Sequence, residues 1–217
     1  RDTKTFLEEL KKKYDARKIL EALDSVRNTR VLLIGEEILD EYTFCRQMDR
    51  AGKEALFAYQ ELQSETHAGG VFAVANHLAQ FSEDVTVVSC IGNNHNQFVN
   101  NNLDKNVRNN IFVQDGASTL TKKRYIDSYK KQKLFEVYNT DVLELSPEVE
   151  EDILNKLEER SAETDMIIVS DFGHGLILIL LGLLLYKRGY DSLKQWGIIL
   201  AVSGVSGTLT GTICGVA

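Results

Sequence analysis

Residues 31–40 read Val31-Leu32-Leu33-Ile34-Gly35-Glu36-Glu37-Ile38-Leu39-Asp40, and this stretch decides the fold. Its four leading apolar residues lack the alternation of a strand with one wet face and the three-to-four spacing of an amphipathic helix. A short run of that kind, closing on glycine, marks a strand buried on both faces, as found inside parallel sheets. Two further runs share the pattern: Val85-Thr86-Val87-Val88-Ser89-Cys90 and Met166-Ile167-Ile168-Val169-Ser170. Helical segments lie between them. Gly69-Gly70 opens one that carries Val71, Val74, Ala75, Leu78 and Ala79. Ser146-Pro147-Glu148-Val149 supplies an N-cap, a proline at the first helical position and an acidic first turn for another, ending near residue 160.

The remaining segments fit around this frame. Residues 41–66 have no helical period and carry Tyr42, Phe44, Phe57 and Tyr59, so a small antiparallel excursion from the main sheet is expected. Residues 93–110, half of them asparagine, read as a polar surface helix and turn. Further strands are expected at 111–113, 123–127 and 134–138. Alternating strands and helices define an α/β domain with a mostly parallel central sheet flanked by helices.

The 217 residues are 43% hydrophobic and 26% charged, with a formal net charge of −7. That composition suits a globular domain and argues against general affinity for nucleic acid. Cys45, Cys90 and Cys214 and the four histidines show neither disulfide nor metal-ligand spacing. No metal site is expected, and a cytoplasmic setting is the simplest reading. The chain opens on Arg1-Asp2 with neither a signal-like segment nor an initiator methionine, which reads as a piece of a longer polypeptide.

Three segments follow along the chain. Residues 1–28 place Phe6, Leu10, Ile19, Leu20, Leu23 and Val26 at helical spacing, an amphipathic linker that packs on the domain or joins it to something upstream. Residues 29–177 form the domain proper. In the tail, 178–217, leucine and isoleucine dominate up to residue 185, and no charge occurs from Trp196 onward. Three readings of this tail stay open: a membrane hairpin, a buried strand and helix of the core, and a non-native continuation from a misjoined reading frame.

In parallel sheets ligands gather beyond the carboxyl ends of the strands. Three unusual clusters fall there: residues 35–40, 69–76 and 171–175. A carboxylate such as Asp40 can accept hydrogen bonds from adjacent hydroxyls, the pattern that vicinal sugar alcohols present; alone, it is as readily a turn or cap. Gly69-Gly70 lets backbone N–H groups approach a ligand, while Asn76 can donate and accept; a tight turn with a core-facing amide reads equally well.

Taken in order, Gly35-Glu36-x-x-x-Asp40, Gly69-Gly70 with Asn76, Thr121-Lys122-Lys123-Arg124 and Ser170-Asp171-Phe172-Gly173-His174-Gly175 resemble ribokinase-like (phosphofructokinase-B type) carbohydrate kinases over about residues 30–177. Among these, the stretch from Gly35 to Cys45 with Gly52-Lys53-Glu54 is most similar to heptose-phosphate kinase modules joined to a nucleotidyltransferase.

The resemblance implies a ribokinase-like fold with a small β lid. It implies a sugar or sugar phosphate as substrate, with ATP and Mg²⁺ as phosphoryl donor. Asp40, Gly69, Gly70 and Asn76 would bind sugar, and Arg50 and Lys53 on the lid would meet a substrate phosphate. Lys122, Arg124, Asp171, Gly173, His174 and Gly175 would lie near phosphate, with Phe172 and His174 standing where the family usually has Tyr and Lys. A homodimer through the lid and an upstream nucleotidyltransferase domain are the implied partners. The family's late Gly-Ala-Gly-Asp motif, whose Asp is the catalytic base, has no counterpart: the late glycine-rich segment is Gly204-Val205-Ser206-Gly207-Thr208, and the last carboxylate is Asp191. The expectation is therefore an incomplete kinase module, inactive alone. Its rivals are a non-catalytic sugar-binding or dimerisation module and a membrane-attached protein.

Overall fold

The buried apolar runs become the centre of a parallel sheet in the computed structural model, which describes residues 2–50, 56–92, 95–139, 145–172 and 199–202. Strand β1 (Arg30–Gly35) lies between β4 (Asp84–Gly92) and β8 (Met166–Asp171). Outside them run β5 (Val107–Gln114) and β9 (Ile199–Val202), giving the order β5-β4-β1-β8-β9 with every pairing parallel. Both faces are covered, as such a sheet requires. Leu32, Ile34, Val88, Cys90, Ile167 and Val169 pack with Ile153 and Leu157 of helix α5 (Pro147–Ser161). Val31, Leu33, Val85, Val87 and Ile91 pack on the other side with Val71, Phe72 and Ala75 of α3 (Val71–Leu78) and with Val99 of α4 (Asn96–Asn102). Helix α5 starts as its sequence dictates: Val149 N–H donates to the Ser146 side chain, Pro147 stands at the start, and Glu148 and Glu150 occupy the first turn.

A second sheet stands off the first, in the order β3-β2-β6-β7. Strands β2 (Glu37–Arg50) and β3 (Phe57–Gly70) form the antiparallel excursion expected from sequence. Strands β6 (Thr121–Asp127) and β7 (Lys133–Asn139) extend this lid, β6 running parallel to β2 and antiparallel to β7. The expected strand at 111–113 begins earlier, at Val107, because β4 supplies a backbone ladder from Val85 onward that polar Arg108, Asn109 and Asn110 can follow at the sheet edge.

The amino-terminal segment forms α1 (Thr3–Lys13) and α2 (Ala16–Val26), capped by Asp2 and Asp15. Neither helix buries a residue, so of the two readings of this segment, packing on the domain or joining it to something upstream, their apolar side chains do not show the first. Contact with the domain is made where α2 ends, through Arg27 and Glu83. Within the tail, residues 199–202 pair in parallel with β8 and so extend the main sheet. Among the described residues no helix is long and apolar enough to cross a membrane.

Candidate sugar-binding site

Three sequence clusters meet where the parallel strands end. A Cβ built on Gly35, the last residue of β1, would lie 2.7 Å from the Val71 side chain and 2.8 Å from Ser170 O. The backbone N–H of Val71 donates to Glu36 O at 2.9 Å, and the N–H of Phe172 donates to Glu36 Oε2 at 3.1 Å. Glu36 thus ties the first cluster to the second through its backbone and to the third through its side chain. Gly70 is required here: its φ is +57°, and a Cβ would strike Glu36 O and approach Ile38 N to 2.8 Å.

Asp40 lies on the lid strand leaving this junction, and Gly69 on the strand returning to it. Ile38 pairs with Gly69 and Asp40 with His67. A side chain at Gly69 would collide with Asp40 Oδ2, so the bare glycine gives the carboxylate its room. The Asp40 carboxylate and the glycine pair therefore share one edge of the molecule.

The other Asp40 oxygen accepts from Arg124 Nη1. Arg124 is largely buried, sits over the Tyr42 ring at 5.0 Å and reaches Glu136 Oε1 with Nε at 3.2 Å. Glu136 also accepts from Tyr138 Oη at 2.7 Å and lies 3.2 Å from Lys133 Nζ and 3.9 Å from Lys122 Nζ. The hydrogen bond from Tyr138 and the surrounding lysines hold its carboxyl down at about 2. Strand alternation places Asp40, Tyr42, Lys122, Arg124, Glu136 and Tyr138 on one lid face, since Asp40 pairs with Lys122 and Tyr42 with Arg124 on β6. Lys123, on the opposite face, pairs with Glu41 at 2.9 Å.

Not every expected residue joins this face. Asn76 is committed elsewhere: its Nδ2 donates to Asn102 O and its Oδ1 accepts from Asp104 N–H, each at 2.8 Å. Both ends of its amide thus brace α3 against the end of α4 and the residues just after it, so the sugar-lining role expected for Asn76 is not part of this lid face. Arg50 stands at the far end of β2, paired with Phe57; nothing is assigned to its side chain. Lys53, Gly173, His174 and Gly175 lie outside the described residues, and Asp171 is placed by its backbone alone, at the end of β8.

Glu136 and the burial of Glu36 and Glu37 did not stand out in the sequence. For Glu136, a signal existed: it follows β6 on a strand of period two, opposite two cations that also alternate. For Glu36 and Glu37 the local sequence contains none, because adjacent acids after a strand ordinarily face water.

No protein-family model matches the chain. Curated relatives do. The bifunctional protein HldE of Sulfurimonas denitrificans is 29% identical over 153 residues, covering 68% of this chain and 31% of the relative. That of Trichlorobacter lovleyi is 29% identical over 169 residues, covering 74% and 33%. The chain thus spans about a third of the length of the curated relatives it matches. Among solved structures, Arabidopsis thaliana ribokinase complexed with ribose and ATP superposes with a TM-score of 0.56 at 15% identity, covering 82% of this chain and 55% of that one. Escherichia coli phosphofructokinase-2 in complex with fructose-6-phosphate gives 0.54 at 18% identity, with the same two coverages of 82% and 55%. By sequence the chain is similar to the HldE proteins over 68 to 74% of its length, and by architecture it has the ribokinase-like fold seen in these solved kinases.

Proposed function

We propose that the chain is the sugar-binding portion of a carbohydrate kinase module acting on a sugar or sugar phosphate. The observation that carries this reading is the placement of the Asp40 carboxylate against Gly69, at the edge where the three clusters converge. A carboxylate accepts hydrogen bonds from two neighbouring hydroxyls, and the missing side chain at Gly69 is what lets the Asp40 carboxylate stand at this edge. Lys122 and Arg124 supply positive charge on the same face for an anionic substituent.

In the complete reaction a sugar hydroxyl attacks the γ-phosphorus of ATP. The new O–P bond forms as the bond to the β-phosphate oxygen breaks, and a base takes the hydroxyl proton. ATP with Mg²⁺ is the donor this reading implies. Asp171 and residues 173–175 are the positions we assign nearest to it, from the likeness of Ser170 to Gly175 to the corresponding family segment. The Gly-Ala-Gly-Asp motif is not among the 217 residues, so the proton-accepting role is assigned to no residue of this chain.

Calorimetric titration with free pentoses, hexoses and heptoses and with their terminal phosphates tests the reading. Binding of one of them, lost in Asp40→Ala, is expected. Failure of every sugar to bind would remove it. The similarity to proteins named bifunctional supports a second reading, a sugar-binding module that serves an attached nucleotidyltransferase; sugar binding without any ADP or ATP binding would select it. We also assign the half-exposed Phe57, Leu62, Phe135 and Val137 of the lid to contact with a second copy. Sedimentation of a Phe135→Asp variant as a smaller species than the parent checks this.

A further inference from the structure

One residue separates the main sheet from the lid. Strand β1 ends at Gly35 and β2 begins at Glu37, while β3 passes at Gly70 directly into α3. The strand that carries Asp40 leaves the parallel sheet through the first of these two crossings, and its antiparallel partner returns through the second. Two carboxyl groups are turned into them: Glu36 is 3% exposed and Glu37 is 4% exposed. A buried carboxylate without a cation is costly, and among the described residues the groups acting on Glu37 are Ser89, its own backbone and Glu36, none of them cationic.

Ser89 Oγ lies 2.7 Å from Gly35 O and 2.9 Å from Glu37 Oε2. A hydroxyl has one proton, and a carbonyl oxygen has none to give. If Ser89 donates to the Glu37 carboxylate, its lone pairs are pressed against Gly35 O. Both contacts are hydrogen bonds only when Ser89 donates to Gly35 O and a neutral Glu37 donates to Ser89. Burial agrees, pushing the Glu37 carboxyl up to about 8. The titratable groups around it reinforce this. Glu36 on the same connection opposes a second negative charge, and the Cys90 thiol on β4 is driven up to about 12 by burial and by Glu37. Across the register on β3 stands Gly70, which brings no charge.

We propose that Glu37 is a positioning residue: its proton closes a relay from Glu37 through Ser89 to Gly35 O that fixes the departure of the lid, and its ionisation loosens the hinge beneath Asp40. The consequence for sugar binding rests on the function proposed above; the relay itself does not. Asp40 is three residues along the strand from Glu37, about 10 Å at strand rise, so hinge freedom is transmitted to its carboxylate.

Hydrogen exchange read by mass spectrometry on the full chain tests the relay, following peptides that span residues 33–40 and 68–74 between pH 6 and 9. After correction for intrinsic rates, protection in the parent is expected to fall up to tenfold per pH unit above 8. Glu37→Gln, whose amide N–H donates to Ser89 as the acid does, is expected to show no such fall. Ser89→Ala is expected to have low protection throughout and no step. Identical pH profiles for the parent and Glu37→Gln would overturn the proposal, as would a step surviving in Ser89→Ala. A measurement on the parent guards against a variant that fails to fold: with ¹³C-labelled glutamate, one carboxyl resonance must titrate above pH 7, and titration of all of them near pH 4.5 refutes a neutral Glu37. Where a sugar binds, its affinity is expected to drop above pH 8 in the parent and to stay level in Glu37→Gln. A chain that binds no sugar but shows the exchange step would refute the proposed function and leave the hinge relay standing.

Discussion

Replacing Glu37 by Gln is expected to make the protein more stable, increasingly so as the pH rises from 5 to 8. Unfolded, the Glu37 carboxyl ionises near 4.5; folded, burial lifts it to about 8. A raised carboxyl contributes its full stability below the unfolded value and loses it as pH climbs through the folded one. The separation of the two values corresponds to about 5 kcal/mol over the whole window and about 3 kcal/mol by pH 7, at about 1.4 kcal/mol per unit. These are upper limits, because a hinge that relaxes or admits water shelters the charge better. Gln keeps the shape and a donor toward Ser89 but cannot ionise, so its curve lacks this contribution. Urea unfolding of both proteins at half-unit intervals from pH 5 to 9 gives the two curves, and subtracting them cancels every other titrating group. The difference should widen by about 1 kcal/mol per unit up to pH 8 and then level off. Parallel curves would refute a proton on Glu37 in the folded chain.

Gly69→Ala sets a Cβ against Asp40 Oδ2 and 3.1 Å from Ile38 O. It is expected to cost about 1–3 kcal/mol in stability and to weaken sugar binding far more than Lys123→Ala on the opposite face; equal effects in a titration would remove the shared-edge geometry. Glu136→Gln leaves Arg124, Lys122 and Lys133 without their common anion. Because this carboxyl is held at about 2, the parent loses that contribution only on acidification from 4.5 toward 2, and the variant's acid unfolding profile should lack it. Removing residues 2–26 deletes two helices that bury no side chain, so the thermal midpoint of the domain should move by no more than about 2 °C; a larger fall would show that they carry stability.

Much of the architecture could be read along the chain because its signals are local. Strands β1, β4 and β8 announce themselves as short runs dominated by apolar residues, the signature of burial on both faces. The start of α5 follows from Ser146 and Pro147, and the crossing into α3 from Gly69-Gly70, each acting within a turn of itself. The bulk of the candidate site was legible for the same reason, since the carboxyl ends of parallel strands collect the loops, and Asp40 and both glycines sit just beyond them.

What the sequence alone determined is the set of buried strands, their parallel class and the three clusters at one edge, because periodicity and turn chemistry act between neighbours in the chain. Tertiary structure alone decided that β6 and β7 join the lid, that Asn76 is spent on bracing α4, and that Glu36 and Glu37 are buried at the hinge. Each of these depends on partners 26 to 136 residues away, and no local pattern encodes a pairing at that distance. The same burial that hides the two glutamates from a sequence reading is what raises Glu37 and makes it able to hold a proton at neutral pH.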